Sequence, residues 1–179
     1  YGHALLHPKL MAEPVVADVV TRLQKLQDEK ASVVGNEELV ARWNVVLSYH
    51  EIFGDLIAAV YQDNPRAIPE ALKYAFAEDL SYFDKTVWIR GFAKEDFDKK
   101  GKTFLKKFGA TVIGEEVSSY HAYFPVRHLL WDLLQEVPQA ERGDAIVKMA
   151  EGFAQEAALQ VNKPRAELTI GSLNESMEK

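Results

Sequence analysis

From Pro14 onward, Val15, Val16, Val19, Val20, Leu23 and Leu26 recur at helical spacing, with Asp18, Arg22, Lys25 and Asp28 on the opposite side. The pattern predicts an amphipathic helix with a proline in its first turn, where the missing N–H has no intrahelical partner to lose. Gly35 is a stop signal, Asn36 a candidate N-cap, and Glu37 with Glu38 suits the positive end of a helix dipole. Leu39, Trp43, Val46, Leu47, His50, Phe53, Gly54, Ile57, Val60 and Tyr61 then trace one face of a long helix that ends at "DNP", residues 63–65. His50 lies on this apolar face; Glu51 and Asp55 point away from it.

Pro65 and Pro69 precede a shorter helix through Leu72, Ala75 and Phe76. Residues 80–92 are very apolar with mixed spacing and read as helix because their surroundings do. In "KEDFDKKGKTFLKKFG" (94–109), Gly101 and Gly109 divide a lysine-rich stretch whose apolar members are Phe97, Phe104, Leu105 and Phe108. "SSYHAYFPVRHLLWDLL" (118–134) reads as two helices meeting near Pro125, because an interior proline removes one backbone hydrogen bond and clashes with the preceding turn. The last helix runs to about Val161, with Ile146, Met149, Ala150, Phe153, Ala154, Ala157 and Val161 on one face, its alanines open to a close neighbour. Residues 1–13 show little periodicity and read as an arm. Residues 165–179, polar apart from "LTI", read as a tail loose or docked along the surface. The fold class expected is all-α: a compact single domain of six to eight helices over 14–164.

Composition narrows the function classes. The 179 residues suffice for one domain, and the 47% hydrophobic and 27% charged fractions are ordinary globular values. With no cysteine, disulfides, thiolate zinc sites and cysteine nucleophiles are excluded together. The net charge of -6 argues against a general nucleic-acid binder. No apolar run reaches the roughly 18 residues of a transmembrane helix, and the expected compartment is the cytoplasm.

The histidines are the main candidates for chemistry. His50, on an apolar face, is either a hydrogen-bonded core imidazole or a proton-handling or ligating group. His121 and His128 are two turns apart, roughly 10 Å along an unbroken helix. That is too far to share a metal ion whose ligands stand at about 2 Å. Pairs that share a metal on one helix prefer i, i+4 spacing, as in H-E-x-x-H, and no such pair is read in this chain; the E-x-x-H of di-iron bundles is missing too. No metal ligands are therefore expected. Ser118 and Ser119 lack a nucleophile elbow, no phosphate-binding glycine loop is present, and the acidic pairs Glu78–Asp79 and Glu115–Glu116 read as solvated helix ends. The balance leans away from an enzyme. Aromatic crowding from Tyr74 to Trp131 reads as core, or as the lining of an apolar pocket with polar tips. The ligand-binding residues expected are His50, Trp88, Tyr120, His121, His128 and Trp131.

"ELVARWNVVLSYHEIFGDLIAAVYQDNP" resembles the opening of a globin, with a tryptophan in the first helix and a proline after the second. The interval from Pro65 to His121 is similar to that between a globin's early proline and its proximal histidine. The resemblance implies haem held by His121, or by His128. The sequence departs from the globin pattern in having Trp43 and Pro65 on or just after one helix, and no distal histidine or glutamine. Three readings of function follow. The first is a non-catalytic binding or sensor domain for a protein partner or an apolar small molecule. The second is a haem or tetrapyrrole binder, and the third a small helical enzyme with His50 as general base.

Overall fold

The computed structural model describes residues 2–32, 34–75 and 90–178. Among these residues lie eight α-helices and no strand, so the fold is all-α. They are α1 (Gly2–Ala12), α2 (Pro14–Asp28), α3 (Glu37–Tyr61), α4 (Ala67–Ala75), α5 (Lys94–Phe108), α6 (Arg127–Glu136), α7 (Arg142–Val161) and α8 (Ile170–Met177). No helix among the described residues is long and apolar enough to cross a membrane. The expected helix over 80–92, and Trp88 within it, fall mainly outside the described residues.

The long helix α3 is the hub. Val45, Tyr49, Ile52, Phe53, Leu56 and Ala59 along it have no exposed surface, and α1, α2, α4 and α7 all pack against it. Such all-round contact overturns the face read from sequence: Tyr61 on it is exposed, whereas Val45, Tyr49, Ile52, Asp55, Leu56 and Ala59, all off it, are buried. Helix α7 packs on α3, and Ala150, Phe153, Ala154, Ala157 and Val161, on the face the spacing predicts, are buried. The Phe153 ring stands edge-on to Tyr49 and Phe53, 5.8 and 5.6 Å away.

Both terminal segments contribute helices to this core. Residues 2–12, read as an arm, form α1, which buries Gly2, Leu6 and Leu10 against α3 and α7. Those three positions repeat every four residues, a period that Pro8 inside the helix masks. In the tail, Thr169 caps α8 in a reciprocal box with Ser172, and Leu168, Ile170 and Leu173 are fully buried. Asn174 Nδ2 donates to the Ala122 carbonyl at 2.7 Å, tying α8 to the chain before Pro125.

Two local expectations change. Helix α5 runs through Gly101 rather than stopping there, and the Phe97 ring lies over this glycine, where a Cβ would stand 2.0 Å from it. Around Pro125 the chain forms two short 3₁₀ turns, Ser119–His121 and Phe124–Val126, and only then enters α6. Proline's missing N–H breaks the α-ladder, and the tighter turns absorb it.

Candidate functional site

Helix α1 crosses α3 with the backbones nearly touching. A Cβ on Gly2 would come within 2.8 Å of the Gly54 Cα, and a Cβ on Gly54 within 2.8 Å of the His3 ring. This close approach lays His3 flat on His50, with ring centroids 4.2 Å apart and planes 21° from parallel. One turn further along α1, the His7 ring meets His50 edge-on at 5.9 Å. Glu51, next to His50 on α3, completes the group. Ligating atoms of His3, His50 and Glu51 lie within 4.8 Å of one another.

The electrostatics differ among the members. His50 Nε2 is buried with no hydrogen-bond partner. Burial, reinforced by neighbouring His3 and His7, lowers the His50 pKa to about 4, so its ring is neutral near pH 7. Burial also raises the pKa of Glu51 against the opposing pull of Arg90. The Arg90 contact is long, 3.6 Å, because that guanidinium spends its short hydrogen bonds on Asp55, Nε to Oδ2 at 2.9 Å and Nη2 to Oδ1 at 2.5 Å.

Behind this cluster runs a buried ionic relay. The Asp55 carboxylate also accepts from Nη1 of Arg127 at 2.8 Å. Arg127 is buried; it donates through Nη2 to the Tyr120 carbonyl at 2.9 Å and lies over the Phe92 ring. Arg90 in turn sits 4.7 Å above the Tyr120 ring. With each guanidinium paired, the relay reads as structural support that holds α3, the approach to α5 and the turn at Ser119–His121 together.

The residues expected from sequence are spread over more than one place. His50 belongs to the cluster just described. Tyr120 borders the relay, with its ring partly exposed. His121 Nδ1 lies 3.3 Å from the Ser118 hydroxyl, and burial together with Arg127 and Arg90 lowers its pKa to about 4. His128 is elsewhere: its ring stacks on Phe97 of α5 at 4.4 Å, and burial lowers its pKa. Trp131 packs partly buried against the core. Trp88 lies outside the described residues. Of the marks of the globin resemblance, Trp43 lies within α3 and Pro65 follows its end, so they fall on and after a single unbroken helix where a globin has two.

Sequence reading missed His3, His7 and Glu51. The signal was present in His3 and His7, an i, i+4 histidine pair that shares a face once residues 2–12 are helical. Reading that stretch as an arm hides it, and the expectation that the chain has no i, i+4 histidine pair is wrong. Glu51 carried no such signal, since its pairing with His3 exists only across two helices. No family model, curated protein or solved structure matches the chain.

Proposed function

We propose that this domain is a small-ligand binding module whose site lies where α1 crosses α3, at His3, His50 and Glu51. The observation that carries the reading is His50 Nε2: a buried ring nitrogen with no partner in the protein, on a ring stacked on a second imidazole and next to the Glu51 carboxylate. An unmet buried polar atom costs about 1–3 kcal/mol, and a ligand that engages it recovers that loss. The low basicity of His50 suits a neutral ligating nitrogen better than a general base working near neutral pH. Beside the cluster, Gly2, Gly54, Ile57, Ala58 and Tyr61 line a mostly apolar groove of about 600 Å³, which gives an apolar ligand body somewhere to lie.

Ring-nitrogen NMR of the histidines tests this directly. A panel of small carboxylates, inorganic phosphate, short-chain fatty acids and divalent metal ions is titrated into the full chain. At least one class is expected to shift the His50 and His3 signals and leave His128 in place. A folded protein whose His50 signals respond to no member of the panel overturns the reading.

A further inference from the structure

Resting on that reading, we infer that the ligand is a divalent transition-metal ion of the zinc class, coordinated by His3, His50 and Glu51. The donor set decides the class. Two imidazole nitrogens and one carboxylate suit zinc and its first-row neighbours, whereas calcium and magnesium ask for oxygen ligands throughout.

The geometry needs His3 to turn out of its stack on His50, so that both ring planes meet at the ion, together with a small closure. Tetrahedral zinc with bonds near 2.0–2.1 Å sets its donors about 3.4 Å apart, and the three donors already lie within 4.8 Å. His3 supplies the movement, since it is exposed and stands in the first turn of α1. His50 and Glu51 are held more firmly on the central helix, half-buried and adjacent.

Two features keep the donors available. His50 Nε2 has no partner to give up. Asp55 occupies the short hydrogen bonds of Arg90 and leaves Glu51 only the 3.6 Å contact, so its carboxylate oxygens can turn to an ion. His7 is the remaining nitrogen donor, on the same face of α1 one turn on. It lies outside the three-donor group, so the fourth position is left to water.

Calorimetric titration of the full chain, made without a histidine tag, with Zn²⁺ tests the inference, with Co²⁺ absorption bands reporting the coordination. The expected result is one ion per chain, with His3→Ala and Glu51→Gln each weakening binding at least tenfold and His128→Ala leaving it unchanged. His3 is exposed and Glu51→Gln preserves shape, so circular dichroism should show both variants folded. No Zn²⁺ binding by the wild-type chain, or equal binding by folded His3→Ala and Glu51→Gln, overturns the metal assignment. If a carboxylate or phosphate still shifts His50 in that case, the binding site stands and only the metal falls. If nothing does, both readings fall.

Discussion

Asp55 and Arg127, far apart in sequence, meet in the interior through a 2.8 Å hydrogen bond from a guanidinium that is 1% exposed to a carboxylate that is 3% exposed. Arg90 grips the same carboxylate from the other side. One acid thus pairs with two cations, and removing it leaves Arg127 without its carboxylate and Arg90 with only the 3.6 Å contact to Glu51. Breaking a buried pair by deleting one partner costs about 3–5 kcal/mol, because an uncompensated charge stays behind. Asp55→Ala is expected to lower the unfolding free energy by that amount in urea denaturation. Arg127→Met should cost less, since Asp55 retains Arg90 and methionine refills the space. The reverse ranking would contradict the relay.

Acid should destabilise the protein through His121. Its folded-state pKa is lowered to about 4 by burial and by Arg127 and Arg90, against an ordinary value of 6.5. Between these values the unfolded chain binds the proton and the native one does not, so stability falls as pH drops from about 6.5 to 4. Above 6.5 both states are neutral and the effect vanishes. His121→Asn should reduce the slope in that window, measured by denaturant titration at several pH values. The remaining slope comes from His50, whose pKa is also lowered to about 4. An unchanged slope would show that other groups set it.

Gly54→Ala separates the fold from the cluster. Alanine favours a helix interior by about 1 kcal/mol over glycine, but here its Cβ would stand 2.8 Å from the His3 ring. A ring at the end of a rotatable side chain can swing aside, so the melting temperature should change little while His3 leaves its stack on His50. Ring NMR of His3 and His50 reads this. A stack that survives in the alanine variant would mean that α1 sits further from α3 than described.

The terminal helices should be worth as much as any core element. Leu6 and Leu173 are fully buried, and truncating such a leucine to alanine costs about 2–5 kcal/mol. Leu6→Ala and Leu173→Ala are each expected to fall in that range by urea denaturation. A loss below about 0.5 kcal/mol, the size of a surface change, would return either segment to the status of a loose end.

Much of α2, α3 and α7 was legible because their apolar residues repeat with the helical period over several turns. Helix α1 escaped because three positions and an interior proline make too short a pattern. Helix α8 escaped because its polar face dominates so short a segment, although Thr169 and Ser172 stand at capping-box spacing. His50 was legible as a half-buried imidazole on an apolar face. Glu51 was not, since side chains of neighbouring helical residues leave the axis in different directions and α3 alone gives Glu51 no partner.

The sequence by itself determined the all-α class, the existence of the long helices and the absence of cysteine chemistry, but not which face of α3 lies deepest. These depend on local periodicity and composition, which the chain carries whatever it packs against. Only the tertiary structure decided that Asp55 lies inside, that Arg90 and Arg127 share it, and that His3 reaches His50 and Glu51. Those relationships follow from which helix crosses which, and at what depth. A glycine-on-glycine approach of α1 to α3 sets that depth, and no single segment's pattern records it.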